Sequence, residues 1–248
     1  MSSFHCPSSA YSLCGTTIPI STPKLNNRFK ILAKSNSDST PQSSTTSFLS
    51  FLCPLLKLFS GGDPSQQRNF AFEVYPCPKG SVRHREVVRK TGGKEMFPFL
   101  IDQNSGISMY ESGDIVKYLF ERYGEGRSPS LGLLESTIFT GWMPTILRAG
   151  RGMTLWERSS VDLPPRKLEL FSYENNPNAR IVREALCELE LPYILQNVGE
   201  GSRRMKLLLD ASGSKEVPYF VDHNTGFQSG DYKIILPYLF ETYSSTNL

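Results

Sequence analysis

The pattern of apolar and polar positions is clearest in the last third of the chain. Residues 168–171 alternate in the manner of a half-buried strand. Asn176-Pro177 then supplies a helix cap followed by proline at the first helical position. One apolar face at helical spacing follows, made of Ile181, Val182, Ala185, Leu186 and Leu189. The pattern therefore predicts a strand and an amphipathic helix that ends at Leu191-Pro192.

The same kind of reasoning predicts the remaining elements of this region. A second strand is expected at residues 193–198, a second helix at 202–211 and a third strand at 217–221. A turn leads into a short fourth strand, and a last helix covers 231–243 with a kink at Pro237. The predicted order is β-α-β-α-β-β-α, which indicates a small α/β unit.

This unit has a second copy earlier in the chain. Five positions recur at an offset of 120: Gly93, Pro98, Asp102, Asn104 and Gly106 correspond to Gly213, Pro218, Asp222, Asn224 and Gly226. The same offset relates Tyr118-Leu119-Phe120-Glu121 and Tyr123 to Tyr238-Leu239-Phe240-Glu241 and Tyr243. Between these blocks, Ser112-Gly113-Asp114 matches Ser229-Gly230-Asp231 at an offset of 117. The repeat predicts two related units, with a three-residue gap and a compensating insertion.

The first copy is incomplete at its beginning. Residues 46–72, which should hold its first strand and helix, contain Gly61-Gly62-Asp63-Pro64 and no helical pattern like that of the second copy. We expect this strand and helix to be missing, as in the product of a skipped exon or a mispredicted gene. Because the loss would leave unpaired backbone groups in the sheet, either the apolar segment 48–59 supplies a substitute or this unit is poorly formed.

The element order, with a proline opening the third strand, resembles the thioredoxin fold. The residues resemble the N-terminal domain of glutathione S-transferases and the related glutaredoxins. The motifs are Asn176-Pro177-Asn178-Ala179-Arg180, Val217-Pro218-Tyr219-Phe220-Val221-Asp222, Phe97-Pro98-Phe99-Leu100-Ile101-Asp102 and Tyr110-Glu111-Ser112-Gly113-Asp114. With Tyr75-Pro76-Cys77-Pro78-Lys79-Gly80, the whole is similar to plant plastid proteins that carry two such domains in tandem. The resemblance implies an α/β fold with two thioredoxin-fold domains, at 70–123 and 167–243, the first without its opening strand and helix.

The resemblance also implies a place for glutathione. In this family the proline before the third strand is cis and leaves a backbone edge for the cysteinyl group, here at Pro98 and at Val217-Pro218. A Glu/Gln-Ser pair at the start of the last helix, where N–H groups can bind a carboxylate, holds the γ-glutamyl end, here Glu111-Ser112 and Gln228-Ser229. The alternatives are that the prolines only shape turns and that Ser112 and Ser229 only cap helices. Glutathione is the only ligand that the resemblance implies, and no other cofactor is expected.

The reactive cysteine of the glutaredoxins has no counterpart in this chain. That cysteine opens the first helix, where the helix N-terminus lowers its pKa, but Asn176 and Ala179 hold the two cysteine positions. Tyr173 is a weak candidate for the hydroxyl that transferases use, with packing at a strand end as the alternative. Cys77 follows the second strand and Cys187 lies late in a helix, so neither is expected to be an activated thiol. The sequence therefore favours a protein without catalytic residues.

Other reactive side chains point to no further chemistry. No pair of cysteines has zinc-ligand spacing and the three histidines form no cluster, so neither a metal site nor a disulfide framework is expected. A basic cluster, Arg83-His84-Arg85 with Arg89-Lys90, lies on a predicted helix. It forms a solvated helix face or else contacts an anion such as a glutathione carboxylate.

Composition and charge change the interpretation of the N-terminus. The chain has 248 residues, of which 39% are hydrophobic and 21% charged, which excludes a collagen, a coiled-coil rod and a mostly disordered protein. The net charge of +3 comes from residues 1–47, which hold four basic residues, one acid and 18 Ser or Thr. This composition predicts a chloroplast transit peptide, or else a plain disordered tail. The other 201 residues balance 23 basic against 23 acidic groups, so no nucleic-acid partner is expected.

Two apolar segments lie in the predicted connections. Residues 48–59, within a segment and linker at 48–69, are too short to span a bilayer. Residues 131–149, within a linker at 124–166, contain Glu135, Arg148 and Pro144. The sequence as a whole favours a chloroplast module that binds glutathione or a plastid protein without thiol chemistry. The alternatives are a glutathione-dependent transferase or disulfide oxidoreductase, and peripheral contact with a plastid membrane through these segments.

Overall fold

The computed structural model describes residues 28–33, 71–81, 83–123, 152–173, 176–198, 202 and 204–245. These residues form eight strands and five helices in two lobes. Lobe one consists of β1 (Arg28–Ala33), β2 (Ala71–Pro76), α1 (Arg83–Gly92), β3 (Phe99–Asp102), β4 (Ile107–Tyr110) and α2 (Ser112–Tyr123). Lobe two consists of β5 (Leu168–Ser172), α3 (Pro177–Glu188), β6 (Tyr193–Asn197), α4 (Arg204–Ser212), β7 (Tyr219–Asp222), β8 (Phe227–Ser229) and α5 (Tyr232–Tyr243).

A single eight-stranded sheet runs through both lobes in the order β4-β3-β1-β2-β6-β5-β7-β8. Within each lobe the first two strands are parallel, and the third strand pairs antiparallel with the first and with the fourth. The lobes meet where β2 and β6 pair antiparallel, with Val74 opposite Tyr193. The strand order therefore reads the same from either end of the sheet, and the predicted tandem of thioredoxin-like units is confirmed.

Strand β1 corrects two predictions about the N-terminus. It lies between β2 and β3, the place that β5 takes in lobe two, so the prediction that lobe one lacks its first strand was wrong. For the same reason residues 1–47 are not a disordered leader throughout. Ile31 and Leu32 are buried in clusters on opposite faces of the sheet. Consecutive apolar residues are typical of a strand covered on both faces, but the Ser-rich composition around them concealed this signal.

Several predictions fall on residues outside the described part of the chain. They are the remainder of the leader at 1–47, the substitute element at 48–59 and the apolar segment at 131–149. A lobe-one counterpart of α3 would fall within residues 34–70, which lie outside it as well.

The two faces of the sheet are covered differently. On one face a continuous core crosses both lobes beneath α2, α3 and α5, and Val74 of β2 and Leu195 of β6 both belong to it. On the other face, α1 covers a separate cluster that includes Val88, and α4 covers a second one that includes Leu208. The continuous core joins the lobes into one body because the strands on either side of their boundary contribute to it.

A buried carboxylate explains many of the identities in the repeat. In each lobe an aspartate at the end of the third strand accepts hydrogen bonds from two tyrosines of the last helix. These groups are Asp102 with Tyr118 and Tyr123 in lobe one, and Asp222 with Tyr238 and Tyr243 in lobe two. Burial opposes the ionisation of Asp102, but the hydroxyl donors outweigh it and lower its pKa to about 2. These identities therefore mark a structural device that fixes the last helix to the sheet.

The structural register keeps one offset to the end of each copy. Helices α2 and α5 cover 112–123 and 232–243, and β3 pairs with β4 as β7 does with β8, all at an offset of 120. The predicted gap and compensating insertion are therefore wrong. The match of Ser112-Gly113-Asp114 to Ser229-Gly230-Asp231 is a coincidence of sequence, since the first motif begins a helix and the second ends a strand.

Residues 152–156, which we call the strap, join the lobes a second time. The Gly152 N–H donates to Glu188 Oε1 at 2.8 Å, and the Trp156 N–H donates to the Glu188 carbonyl at 2.7 Å. From lobe one, Lys79 forms two backbone hydrogen bonds with the strap, of 2.8 and 2.9 Å. The strap is therefore fixed between the loop after β2 and the end of α3.

The first residues of the basic cluster on α1 face the other lobe. Their partner is Glu190, which is 1% exposed and directly follows α3. It accepts hydrogen bonds from the Ser81 hydroxyl and, at 3.4 Å, from the His84 N–H, and it pairs with Arg83 at 3.5 Å. The remaining cations pair with acids of lobe one: Arg85 and Arg89 with Glu95, and Lys90 with Glu86. The prediction of a solvated helix face therefore holds only for the later part of the cluster.

Candidate functional site

The site that the resemblance implies lies at the start of α3. Asn176 caps this helix with an extended backbone, and its Oδ1 accepts a hydrogen bond from the Ala179 N–H at 2.8 Å. Pro177 follows at the first helical position, so the predicted helix start is confirmed. Asn176 Nδ2 donates to the Val217 carbonyl at 3.1 Å. One side chain thus caps the helix and occupies the backbone edge beside Pro218.

The two prolines that precede the third strands both follow cis peptide bonds, Phe97-Pro98 and Val217-Pro218. Pro218 is buried and Pro98 is half-buried. A Cβ placed on Gly230 would lie 3.6 Å from the Pro218 carbonyl, so the chain that leaves β8 passes close to this proline. The structure therefore brings Asn176, Val217 and Pro218 together, and contact of these residues with a ligand stays a prediction.

The pair Gln228-Ser229 does not lie at the start of the last helix. Both residues belong to β8, and α5 begins three residues later with Asp231 as its cap. Gln228 Oε1 accepts a hydrogen bond from the Tyr219 hydroxyl at 2.9 Å. The assignment of this pair to a helix start and the alternative of a cap at Ser229 are both corrected. The error came from the offset of 117, which aligned a strand end with a helix start.

In lobe one the pair Glu111-Ser112 does lie at a helix start. Helix α2 begins at Ser112. Glu111 is exposed, has φ +67, and its carbonyl accepts a hydrogen bond from the Ile115 N–H at 2.9 Å. In lobe one the structure therefore gives the positions of Pro98 before β3 and of Glu111-Ser112 at the start of α2. A lobe-one counterpart of the helix start that faces the proline in lobe two would fall within 34–70, outside the described residues.

The remaining candidates are a tyrosine and two buried cysteines. Tyr173 is 39% exposed at the end of β5, and its carbonyl accepts a hydrogen bond from the Asn176 N–H at 3.3 Å. Cys77 is fully buried beneath α1. Burial, together with neighbouring glutamates, raises the pKa of the Cys187 thiol to about 12. Cys187 is therefore protonated over the physiological range, and its surroundings do not favour the thiolate.

Sequence reasoning missed the second hydrogen bond of Asn176 and the role of Glu190. Nothing in the local sequence distinguishes an asparagine that only caps a helix from one whose amide also reaches Val217. Glu190 had a usable signal. It follows the predicted helix at a place where glycine is the usual residue, and a charged residue there suggests a partner that holds it. The structure gives Glu190 the positive φ of such a position, +53.

The geometry can now be compared with known families. The family described as "Glutathione S-transferase, N-terminal domain" matches residues 65–128 and 170–247, which is more than half of the chain and includes most of both lobes. The chain belongs to this glutathione S-transferase N-terminal domain family. The two matched regions of this transferase-type domain agree with the two lobes of the sheet. No curated protein and no solved structure matches the chain.

The residue at the start of α3 limits the chemistry of this transferase-type domain. A side-chain amide donates and accepts hydrogen bonds, but it cannot form a thiolate or attack a disulfide. Lobe two can therefore offer a ligand the start of α3 and the backbone at Val217, without a nucleophile at Asn176. Among the described helices of the chain, none is both long and apolar enough to cross a membrane.

Proposed function

We propose that this chain is a non-catalytic binding module of the thioredoxin superfamily that acts in the chloroplast. The observation that carries the proposal is the position of Asn176, which stands where the glutaredoxins have their reactive cysteine. Its amide is held by two hydrogen bonds, to the Ala179 N–H at 2.8 Å and to the Val217 carbonyl at 3.1 Å. Because this side chain is hydrogen-bonded both to the helix and to the loop before β7, its role in the site is structural and not catalytic.

The ligand class is an extended, peptide-like molecule, either glutathione or a segment of a plastid protein. Such a ligand would pair with the backbone at Val217. The carbonyl of Val217 already accepts a hydrogen bond from Asn176 Nδ2. The carbonyl has a second lone pair, so a ligand can share it, but the asparagine side chain lies in its way. We therefore expect weak binding of glutathione by the natural chain and tighter binding when the side chain of Asn176 is removed.

The catalytic part of the proposal is tested with the full chain. The natural protein and its Cys187→Ser variant are assayed for glutathione-dependent disulfide reduction and for glutathione transfer, and we expect no turnover above background. An Asn176→Cys variant should gain a thiolate that attacks glutathione disulfide, breaks its S–S bond and forms a protein–glutathione mixed disulfide with release of one glutathione, because a helix N-terminus lowers the pKa of a thiol. Asp210→Cys, at an exposed position on α4, is the matched control. Turnover by the natural protein that survives Cys187→Ser would favour the transferase or oxidoreductase alternative instead.

The binding part is tested by NMR titration of the full chain with glutathione and with its oxidised form. Shifts at Val217 and Pro218 that saturate, and that saturate at a lower concentration in Asn176→Ala, would support the proposed site. If neither protein responds at millimolar glutathione, glutathione is excluded and a segment of a plastid protein is left as the ligand.

The chloroplast part of the proposal requires a shorter leader than the composition alone suggested. Residues 1–47 include β1, which lies inside the sheet of lobe one, so removal of all of them would take out a central strand. Residues 1–27 keep half of the Ser and Thr residues, nine of 18, and contain Lys24 without any acid. We expect a fluorescent fusion of residues 1–27 to enter plastids and the mature protein to retain Arg28–Ala33. A cytosolic fusion would contradict the localisation, and a mature chain that starts after Ala33 would contradict the shorter leader.

A further inference from the structure

The last helices of the two lobes begin differently although they keep one register. At the offset of 120, Glu111-Ser112 before and at the start of α2 corresponds to Asp231-Tyr232 before and at the start of α5. Glu111 has φ +67, whereas Asp231 is extended, with φ −96, and its side chain caps α5. Lobe two therefore has a carboxylate of its own bound at the start of its last helix.

Asp231 and its neighbours engage nearly all the N–H groups at the start of α5. The Asp231 N–H donates to the Ser229 hydroxyl at 3.1 Å, and the Lys233 N–H donates to Asp231 Oδ1 at 2.9 Å. The Asp231 carbonyl accepts a hydrogen bond from the Ile234 N–H at 3.0 Å. Of the N–H groups that a helix start presents, only that of Tyr232 is left without a partner among the described residues. This helix start therefore has no pair of free N–H groups for the carboxylate of a ligand.

The start of α3 is closed in the same manner. Asn176 Oδ1 accepts from the Ala179 N–H at 2.8 Å, and the Asn176 carbonyl accepts from the Arg180 N–H at 3.1 Å. Pro177 has no N–H, so Asn178 carries the one N–H of this helix start that has no partner in the described part of the chain. The positive end of a helix dipole attracts anions, but here the caps belong to the protein itself.

Both closed helix starts lie beside Pro218. Asn176 Nδ2 donates to the Val217 carbonyl at 3.1 Å. On the other side, a Cβ placed on Gly230, the residue before Asp231, would lie 3.6 Å from the Pro218 carbonyl. A ligand that pairs with the backbone at Val217 therefore lies close to the cap of each helix.

The charged side chains next to this backbone edge are acidic. Asp231 is exposed, and so is Glu216, which directly precedes Val217. Within the ranges that the structure describes, neither acid forms an ion pair. The cations that come next along the chain are Lys215, two residues before Val217, and Lys233, which lines a groove between α3 and α5. Because the interaction of two charges falls with their distance, the acids decide which charge a ligand meets first.

We propose that the ligand of the site at Val217-Pro218 is a peptide segment that carries a lysine or arginine side chain beside Asp231. This inference rests on the proposed function and chooses between its two ligands. Glutathione has two carboxylates and a net negative charge, so the closed helix starts and the carboxylate of Asp231 all disfavour it. A basic side chain instead pairs with the exposed carboxylate, while the peptide backbone pairs with Val217.

NMR titration of the full chain with three blocked pentapeptides tests this inference. The peptides have the sequence acetyl-Ala-Val-X-Val-Ala-amide, where X is lysine, glutamine or glutamate, and the amide signals of Val217 and Gly230 are followed. We expect the lysine peptide to bind about fivefold more tightly than the glutamate peptide, with the glutamine peptide between them, as for an exposed charge pair. Glutathione should bind more weakly than the lysine peptide, and added salt should reduce the difference between the peptides.

Two variants show whether Asp231 causes this preference. Asparagine caps a helix about as well as aspartate, so Asp231→Asn removes the charge and keeps the start of α5. We expect this variant to bind the lysine and glutamate peptides with affinities that differ by less than about twofold. Asp210→Asn makes the same change of charge at an exposed position on α4 and should keep the fivefold ratio.

The other outcomes separate this inference from the proposed function. Equal affinities for the lysine and glutamate peptides, or a ratio that Asp231→Asn leaves unchanged, would overturn the inference while a peptide-like ligand remained. Tighter binding of glutathione than of the lysine peptide would overturn it as well, in favour of the other ligand. If no peptide shifts the Val217 or Gly230 signals at millimolar concentration, the inference is wrong together with the protein segment as ligand.

Discussion

Lobe one and lobe two share the half of the unit that holds the last helix and differ in the half where the family carries its chemistry. From the third strand onward they keep one register and the same aspartate held by two tyrosines. Before it, β5 leads within a few residues into α3 and Asn176, whereas 37 residues separate β1 from β2. A buried hydrogen-bond network thus holds together the part of the unit that both lobes share. The lobes differ most in the length of chain that follows their first strand.

The joint between the lobes is unequal as well. In the sheet, β2 and β6 contribute one strand each to the pairing between the lobes. By contrast, the carboxylate of Glu190 in lobe two accepts hydrogen bonds from Ser81 and His84 of lobe one and forms an ion pair with Arg83. At this contact lobe two contributes the buried anion and lobe one the donors. A second pair has the opposite sense, because Lys167, directly before β5, contacts the buried Glu73 of β2 at 2.7 Å. The two contacts can be removed separately by substitution.

The largest expected effect is the loss of the buried carboxylate in lobe two. Asp222→Ala would leave the hydroxyls of Tyr238 and Tyr243 without their acceptor, so we expect the free energy of unfolding to fall by about 3 kcal/mol. Asp102→Ala should cost less, because its partner Tyr123 is half-buried whereas Tyr243 is 7% exposed. Urea unfolding followed by circular dichroism measures both losses. A greater loss for Asp102→Ala would reverse this comparison of the lobes.

The next effect concerns the tie between the lobes. Glu190→Gln removes the charge that pairs with Arg83, and we expect a loss of about 2 kcal/mol in the free energy of unfolding. Glu190→Gly removes the carboxylate but also relieves a side chain held at φ +53, which is worth about 1 kcal/mol. The glycine variant should therefore be no less stable than the glutamine variant. If the two variants differ in the opposite sense, the backbone at Glu190 is not strained.

The aspartate networks also predict a dependence of stability on pH. The pKa of Asp102 is lowered to about 2, and that of Asp222 is lowered too, in both cases because tyrosine donors outweigh the effect of burial. A carboxyl with a lowered pKa in the folded state stabilises the fold above the pKa of the unfolded chain and loses this contribution as the pH falls through the folded pKa. For Asp102 the loss should lie between about pH 4 and pH 2 and amount to roughly 1 to 2 kcal/mol.

Thermal unfolding at a series of acidic pH values measures this contribution. The Asp102→Asn variant should have a flatter profile than the natural chain over the same range, because asparagine does not titrate. Asp210→Asn, at an exposed position, should leave the profile unchanged. A natural chain whose stability did not change below pH 4 would contradict the network as described.

The sequence predicted much of this fold because its strongest signals are local. The periodicity at 181–189 and the cap at Asn176-Pro177 are properties of neighbouring residues, and the repeat placed both third strands and both last helices. What it could not predict depends on distant partners. Strand β1 is recognisable only through β2 and β3 on either side of it, and residues 28–33 were assigned from the composition of their surroundings.

The candidate site divides in the same way. Asn176 and Pro218 were placed from their motifs, and the structure brings them together. Gln228 and Ser229 were misplaced because three identical residues at an offset of 117 outweighed the hydrogen-bond register, which only the paired strands reveal. A short identity between copies is thus weaker evidence for an equivalent position than the continuation of one offset along both.

The smallest expected effect is at the start of α3, and it bears directly on the proposed function. Asn176→Ala removes the helix cap, so we expect the free energy of unfolding to fall by about 1 kcal/mol. Asn176→Ser keeps a side-chain oxygen for the Ala179 N–H and should restore most of this loss, but it lacks the amide that donates to the Val217 carbonyl. If that amide limits access to the backbone edge, both variants should bind glutathione more tightly than the natural chain although only one of them is destabilised. If binding instead follows stability, so that the serine variant binds as weakly as the natural chain, Asn176 acts as a cap alone.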